Sequence, residues 1–420
     1  MKRYESGTEH HPAVAPKILL TDTCRWSIGA RLAIALTKAG CHVFAVCPTQ
    51  RHPLQFTRVV RQLFPYSSIR PLDSLRNAIK EVQPNFVIPC DERGVRHLHE
   101  LFLHSSQDGS AGAEIASLIE RSLGASKSYP IVSSRNDLLQ LAREEGIRVP
   151  STLPIKEMAD LKSWEENQEF PCMLKADSSF GGTGVEMVRS REHAQQCFER
   201  LTGPHGITRV LKRLIINRDP FWIRPWWNRH RPAIIAQAFV QGRPANCAVA
   251  CWEGRVLAGI GVEVVSSSGS TGPAIIVRVV ENSEMSFAAE RIARRLNLSG
   301  FFGLDFMIEN GTGATYLIEM NPRSTPLCHL QLGKGRDMVG ALSAQLSGQS
   351  LRDIPPTTEN ELIAYFPQAW TPNHELLPSS FQDIPSEEPE LVHELLRPWP
   401  DRTLLYRLSH ALTSPRTQKS

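Results

Sequence analysis

The sequence has little that would place the protein in a membrane or on a nucleic acid. It contains no run of about 18 apolar residues, so no membrane-spanning helix is predicted. Residues 1–16 are polar and lack the apolar core of a signal peptide. The 420-residue chain carries 47 basic and 43 acidic side chains, and its net charge of only +4 makes no electrostatic case for a nucleic-acid partner. We therefore expect a cytoplasmic protein that acts on small molecules.

The cysteines do not form the pattern of a disulfide framework or a zinc site. There are nine, an odd number, and no CxxC pair occurs among them. Cys247 and Cys251 are the pair with the most suggestive spacing, but they lie in an apolar strand pattern with no further His or Cys nearby. A structural role for both thiols is favoured over metal binding.

The first part of the chain alternates short apolar runs with helical periodicity. Apolar runs at 17–22, 41–47 and 85–91 read as strands, and residues 26–40 have helical spacing. This alternation predicts a Rossmann-like, parallel α/β domain over residues 1–128. Its first turn lacks GxGxxG, so we do not expect this turn to bind the phosphates of a dinucleotide.

The pattern changes in the middle of the chain. From Phe170 to the 340s it is typical of antiparallel strands with interspersed helices, an α+β arrangement. We predict a second domain at 129–348, with lobes at about 129–240 and 241–348. The Pro-rich and charged residues 349–420 read as a C-terminal extension with one helix near 390–396.

A glycine-rich segment follows an apolar strand that ends near Lys175. Its sequence, KADSSFGGTGV, places a lysine on a strand and then a loop of small residues at 178–184. Glycines let backbone N–H groups approach phosphate oxygens, and a lysine on a rigid strand adds positive charge. The lysine precedes the glycines, so this is not a Walker loop. Taken alone, the segment fits a plain hairpin with an exposed lysine equally well.

Two acidic residues are predicted to face inward from a later hairpin. Segments 303–309 and 316–323 read as its strands, with Asp305 and Glu319 on adjacent strands of an otherwise apolar ladder. Such carboxylates are costly unless a cation neutralises them, and with the amide oxygen of Asn321 they form an all-oxygen set suited to Mg²⁺. Arg323 can add donors to a phosphoryl group. A structural Asp–Arg or Glu–Arg pair is less favoured when the glycine loop is considered as well.

Together these segments resemble the ATP-grasp superfamily, which includes biotin carboxylase, the carbamoyl-phosphate synthetase large subunit and D-alanine–D-alanine ligase. The likeness covers residues 132–348 and implies a two-lobed ATP-grasp core between the Rossmann-like domain and the extension. It also implies a set of site residues. These are Lys175, Ser178, Gly181, Gly182, Thr183 and Gly184 at the ATP phosphates, Gln237 and Val240 at adenine, Asp305, Glu319 and Asn321 at Mg²⁺, and Arg323 at the phosphorylated intermediate.

The chain departs from the family pattern at three places. Arg135 occupies a position that is usually lysine, which keeps the charge but presents a planar fork. Gln237 replaces a common glutamate, and the acid often found on the following strand is missing near residues 246–248. These changes leave the proposed metal ligands intact, so we predict an active enzyme.

The resemblance implies an ATP-dependent ligase that forms a C–N bond. Such an enzyme phosphorylates a carboxylate to an acyl phosphate and transfers the acyl group to an amine or another nucleophile, releasing ADP and phosphate. It would need ATP and Mg²⁺, with Mn²⁺ as the substitute ion, and a homodimer is compatible with the family. An ATP-dependent carboxylase, a kinase and a non-catalytic nucleotide-binding regulator are the competing hypotheses.

Two further features have open interpretations. Tryptophans and arginines at 212–231 favour a packed lid over contact with a lipid surface, an acidic substrate or RNA. Asp91, Glu92, His97 and His99 follow a predicted strand, where they line a substrate site or begin a helix, with neither favoured. Residues 266–272 favour a turn over a substrate loop.

Overall fold

The computed structural model describes residues 15–177, 184–202, 233–269, 272–370 and 378–397. These residues form three sheets, two of four strands and one of seven, with helices packed against them. The mixed α/β class expected from the sequence is confirmed. Within the described ranges, no helix combines the length and apolar character needed to cross a bilayer.

The first sheet consists of four parallel strands in the order β3-β2-β1-β4. Its strands are β1 Lys17–Thr21, β2 His42–Cys47, β3 Val60–Pro65 and β4 Phe86–Pro89. The accompanying helices are α1 Ile28–Lys38, α2 Pro71–Val82, α3 Glu92–Ser105 and α4 Gly109–Leu123. Since β1 and β4 are parallel neighbours, the residues that follow them meet at one edge, where the Thr23 hydroxyl donates to Asp91 at 2.9 Å.

The second sheet is antiparallel, with the order β5-β8-β6-β7. Its strands are β5 Thr152–Ile155, β6 Cys172–Ala176, β7 Val185–Val188 and β8 Ile234–Ala238. Helices α5 Tyr129–Ser133 and α6 Arg135–Glu144 precede it, and α7 Met158–Asn167 and α8 Arg191–Thr202 belong to it. Ser134 caps α6, because its hydroxyl accepts from the Asp137 amide at 3.2 Å.

The third sheet has the order β13-β12-β9-β10-β11-β14-β15. Its strands are β9 Gly242–Trp252, β10 Arg255–Ser267, β11 Ala274–Val280, β12 Gly300–Glu309, β13 Thr315–Asn321, β14 Leu362–Tyr365 and β15 Phe381–Asp383. The remaining helices are α9 Ser283–Leu296, α10 Met338–Ser347 and α11 Pro389–Leu396. The described part of 349–420 thus extends this sheet through β14 and β15, a non-local pairing that the sequence pattern does not reveal.

One continuous apolar core joins the first sheet to the third. It includes Ile18 and Phe86 from the first sheet and Val262 and Ile363 from the third. Phe86 stacks on Trp252 of β9, with ring centroids 5.7 Å apart. The carboxyl edge of the first sheet is held beside the end of β13 by the Ser324 amide, which donates to the Pro89 carbonyl at 3.2 Å.

The cysteines are free thiols, most of them in the apolar interior. None of the nine, all of which lie in the described ranges, forms a disulfide bond. Cys247 and Cys251 are buried in β9, and burial raises the pKa of the Cys247 thiol to about 12. No group of three or more His, Cys, Asp or Glu side chains with the geometry of a metal site occurs among the described residues.

Candidate functional site

Two acidic side chains lie directly opposite each other on neighbouring strands. Asp305 of β12 pairs with Glu319 of β13, and the antiparallel pairing of these strands confirms the predicted hairpin. The flanking residues Leu304 and Phe306 are buried on the other face, because successive side chains of a strand alternate between faces. The two carboxylates therefore lie side by side on the large sheet, on the face opposite Leu304 and Phe306.

The carboxylate of Asp305 is held by two asparagines. Asn246 donates to one of its oxygens at 2.6 Å and Asn321 donates to the other at 3.1 Å. Burial, followed by the neighbouring charge of Glu319, raises the pKa of Asp305 to about 6, although both asparagines and Arg323 act in the opposite direction. The site thus holds more negative charge than its own hydrogen bonds stabilise.

Glu319 is engaged by Arg135 at the start of α6. Their Nη2 and Oε1 atoms are 2.6 Å apart, and Arg135 also donates to the Ala176 carbonyl at 3.1 Å and lies 3.5 Å from Asp177. Burial raises the pKa of Glu319, but the charges of Arg135, then Lys175 and Arg323, outweigh burial and leave that pKa below its usual value. Arg135 therefore links the large sheet to the end of β6.

Lys175 lies in the same constellation, although it belongs to the second sheet. It is on β6 and only 4% exposed. Burial, the largest effect, lowers the pKa of Lys175 to about 8, and Arg135 lowers it further while Glu319 and Asp305 raise it. Arg135 contacts both Glu319 and the carbonyl of Ala176, the residue after Lys175, and so brings the end of β6 close to the acidic pair.

The donor set of the two strands fits a hard divalent cation. Asp305 and Glu319 offer carboxylate oxygens and Asn321 offers an amide oxygen, the ligand types that Mg²⁺ prefers. The Asn321 oxygen accepts from Arg323 Nη2 at 3.3 Å, whereas the Asn321 amide nitrogen donates to Asp305. Burial raises the pKa of Asp305 and the adjacent charge of Glu319 raises it further, so a cation at this position would stabilise the ionised carboxylate. The oxygens of these side chains therefore fit a divalent metal ion.

Arg323 is paired differently from the sequence expectation. Its Nε and Nη2 atoms donate to Glu92 Oε1 at 2.7 and 2.6 Å, and its Nη1 donates to the Ser324 carbonyl at 3.0 Å. The guanidinium also lies 5.2 Å from the centroid of the Trp26 ring. Arg323 is therefore paired with an acid from α3, while the hairpin acid Glu319 is paired with Arg135.

The cluster after β4 has two roles. Asp91 caps α3, accepting from the Gly94 amide at 2.8 Å, whereas Glu92 turns to Arg323. The histidines point elsewhere: His97 contacts the Tyr66 hydroxyl at 3.0 Å, and His99 stacks on Tyr129. Asp91 and Glu92 both lie at the start of α3, as the helix-start interpretation requires, and the lining of a substrate site stays a prediction.

The glycine-rich segment is described only at its last residue. Ser178, Gly181, Gly182, Thr183 and the segment 212–231 lie outside the described residues. Gly184 lies at the foot of the hairpin, where its carbonyl accepts from the Ala176 amide at 2.9 Å.

The proposed adenine residues lie where the second sheet continues into the third. Gln237 is buried on β8, opposite Met173 of β6, and its side chain reaches Thr152 at 3.5 Å. Val240 is half-buried in the short connection between β8 and β9. That connection joins the second sheet to the third.

Two residues that contact the candidate site, Asn246 and Glu92, are not assigned a contact from the sequence. The sequence marks Asn246 only as a position without the usual acid, and it gives no reason to connect Glu92 with Arg323. Asn246 is placed by the pairing of β9 with β12, which sets it opposite Asp305. Both contacts join residues far apart in the chain, and no local sequence pattern predicts them.

Cys328 and His329 follow Arg323 in the chain but contact different partners, so they do not act together as a nucleophile pair. The Cys328 sulfur accepts from the Thr325 amide at 3.2 Å, and burial raises the pKa of the thiol. His329 instead contacts Asp383 of β15, with 2.8 Å between Nε2 and Oδ2.

Parts of the sequence are similar to known proteins. The family model of the ATP-grasp domain matches residues 133–326. A 79-residue segment is 33% identical to the carbamoyl phosphate synthase arginine-specific large chain of Bacillus subtilis, covering 18% of this chain and 7% of the length of that relative.

Solved structures share the overall fold at low sequence identity. N5-carboxyaminoimidazole synthetase from Staphylococcus aureus, complexed with ADP, superposes with a TM-score of 0.55 at 13% identity over 80% of this chain and 79% of that one. The biotin carboxylase domain of the Hydrogenobacter thermophilus 2-oxoglutarate carboxylase, with MgADP, gives 0.57 at 15% identity over 81% and 71%. L-amino acid ligase from Bacillus licheniformis gives 0.54 at 14% identity over 81% and 78%.

Proposed function

We propose, on the premise that this chain is an ATP-grasp superfamily member with its domain at residues 133–326, that it is an ATP-dependent ligase. It phosphorylates a carboxylate substrate to an acyl phosphate and passes the acyl group to an amine or another nucleophile. The observation that carries this proposal is the convergence of the Asp305–Glu319 pair with Lys175, from two different sheets, with Arg135 between them.

The positive charges of the site are placed to offset the repulsion between the two anionic reactants. A carboxylate must approach the γ-phosphate of ATP, another anion, and the repulsion has to be offset in a cleft that excludes water. A Mg²⁺ or Mn²⁺ ion held by Asp305, Glu319 and Asn321 would neutralise phosphate charge when bound. Lys175 supplies a second positive charge from a buried strand position.

Arg135 and Arg323 have different roles in the proposed reaction. Arg135 is fixed by Glu319 and the Ala176 carbonyl next to Lys175, so it serves the nucleotide phosphates. Arg323 serves the acid substrate and the acyl phosphate. Glu92 occupies the donors of Arg323 in the present structure, so an anionic substrate group must compete with Glu92 for the guanidinium.

The remaining nucleotide contacts are proposed from the family likeness. Ser178, Gly181, Gly182, Thr183 and Gly184 would close over the phosphates, while Gln237 and Val240 would meet the adenine edge. The same proposal divides the chain into a Rossmann-like domain at 1–128, the ATP-grasp core at 129–348 and an extension at 349–420. Support for the core comes from the match over 133–326.

A hydroxamate screen tests the proposal. The full-length protein is incubated with ATP, Mg²⁺ and hydroxylamine against a library of carboxylic acids, because hydroxylamine traps an acyl phosphate as a stable hydroxamate. We expect ADP, phosphate and hydroxamate to appear together with at least one acid. Nucleotide binding without any acid-dependent turnover would contradict the ligase and support a non-catalytic regulator.

The same assay distinguishes a ligase from a carboxylase and from a kinase. Turnover that depends on bicarbonate would support a carboxylase, and phosphate that stays on the product would support a kinase. Either result would contradict amide formation by a ligase.

A further inference from the structure

A cavity of about 530 Å³ lies on the far side of α1 from the first sheet's strands. Its walls come from α1, from α10 with the residues that follow it, and from the segment that begins with β15. None of the candidate-site residues Lys175, Asp305 and Arg323 lines this cavity. It is therefore separate from the candidate nucleotide site, and its volume is that of a pocket for a small organic molecule.

Most of the wall is apolar. Ile34 and Ala35 of α1, Val339 and Ala344 of α10, and Leu351 contribute carbon surface to the cavity. Apolar surface of this extent favours a ligand with a hydrocarbon or aromatic body, because covering it removes that surface from water.

A buried polar network forms one wall. His329 contacts Asp383 at 2.8 Å, and Arg31 is bonded to the other oxygen of the same carboxylate. The side chains of His329, Asp383 and Arg31 are only 8%, 6% and 11% exposed. The Nδ1 atom of His329 is buried and has no hydrogen-bond partner within the described ranges. Such a network is held rigid and gives the cavity a fixed polar end.

Most of the charged groups around the cavity already have an ion-pair or hydrogen-bond partner. Asp383 is neutralised by Arg31 and His329, the Glu387 carboxylate is bonded to Lys38 at 2.5 Å, and Asp337 accepts from the Gly340 amide at 2.8 Å. Arg352 is exposed and makes no ion pair with the described residues. The group that remains available to a ligand is thus a cation.

We propose that this cavity binds a small carboxylate with an apolar body, at a site distinct from the nucleotide cleft. The apolar body lies against α1 and α10, and the carboxylate pairs with Arg352 at the rim. A guanidinium suits a carboxylate because its planar donors match both oxygens. The proposal does not depend on ligase activity, and its test measures binding alone.

Three eight-carbon probes that differ only in their head group test the proposal. Octanoate, octanol and octylamine are titrated into the full-length protein by isothermal calorimetry. We expect octanoate to bind at one site and about tenfold more tightly than octylamine, which corresponds to one charge-assisted contact. Arg352→Ala should remove the preference for octanoate, and Ala344→Phe should weaken both octanoate and octanol by filling the apolar part.

Arg61→Ala on β3 is the matched control, since Arg61 is an exposed arginine remote from the cavity lining. It should bind octanoate like the original protein. Equal affinities for the three head groups, or unchanged octanoate binding in both Arg352→Ala and Ala344→Phe, would overturn the proposal. Arg352 is exposed, so its substitution tests head-group recognition without disturbing the core.

Discussion

Glu92 and Arg323 form an ion pair between the first sheet and the end of β13. Two donors of the guanidinium reach the same carboxylate oxygen, at 2.7 and 2.6 Å. Burial, the largest single effect, lowers the pKa of Arg323, but the charge and hydrogen bond of Glu92, together with the charges of Asp305 and Asp91, outweigh burial and raise that pKa. The pair therefore links the edge after β4 to the candidate active site.

Removing the charge of Glu92 should destabilise the protein. Glu92→Gln leaves a guanidinium that is only 8% exposed without its charged partner, and such a loss typically costs about 2 kcal/mol. Urea unfolding should show this drop in the free energy of unfolding. Glu114→Gln, at an exposed position of α4, is the control and should change little. Equal stability of the two variants would show that the pair contributes nothing.

Lys175→Ala should slow turnover on the order of a hundredfold. The lysine is a buried cation beside Glu319 and Asp305, and loss of one donor that stabilises transition-state charge typically raises the barrier by about 3 kcal/mol. Acid-dependent ADP release, measured with the acid found by hydroxamate screening, gives the rate. Lys80→Ala, an exposed lysine of α2, should keep full activity. Unchanged turnover after loss of Lys175 would refute its phosphate role.

Substitution of the paired acids should weaken the metal dependence of nucleotide binding. Asp305→Asn and Glu319→Gln each remove one carboxylate of the proposed Mg²⁺ site, and we expect about tenfold more Mg²⁺ to be needed for half-maximal binding of a fluorescent ATP analogue. Glu309→Gln on the same strand as Asp305 is the control, because Glu309 bonds with Thr312 at the hairpin turn. A metal requirement that is the same in all three variants would exclude the site.

His99 should make the protein less stable in mild acid. Burial lowers the pKa of His99 to about 4, below its value of about 6.5 in an unfolded chain. The unfolded state then binds the proton more readily, so this contribution is fully present above pH 6.5 and is lost as pH falls toward 4. Between pH 7.5 and 5 the loss should be about 2 kcal/mol.

Substitution by phenylalanine isolates this effect. His99→Phe keeps a ring against Tyr129, whose centroid lies 4.0 Å from that of the histidine, but cannot take up a proton. The free energy of unfolding of this variant should fall about 2 kcal/mol less between pH 7.5 and 5 than that of the original protein. His104→Phe, at the exposed end of α3, should retain the original pH dependence. If both variants follow the same curve, His99 is not responsible.

The predicted parts of the candidate site are those that local sequence controls. Asp305 and Glu319 lie in strands joined by a short turn, so the turn makes the strands neighbours, while an irregularity between Asp305 and Phe306 shifts the register before the acids pair. Lys175 is identifiable because it lies at the end of an apolar strand, shortly before a glycine-rich segment. Both predictions need only neighbouring residues.

The contacts that the sequence does not predict are those that join distant segments. Asn246 reaches Asp305 because β9 pairs with β12, and Glu92 reaches Arg323 because the first sheet packs against the third. The strands β14 and β15 similarly extend the large sheet, where the composition suggests an extension. Strand pairing over such separations leaves no periodic signal in either segment.

By itself, the sequence determined the class of the fold, the acidic hairpin and the lysine strand, because side-chain alternation and turn chemistry act over a few residues. Only the tertiary structure decided that Glu92 holds Arg323, that Arg135 bridges Glu319 to β6, and that α1 and α10 enclose a second cavity. These relationships depend on how three sheets pack, and packing is settled by the burial of apolar surface across the whole chain.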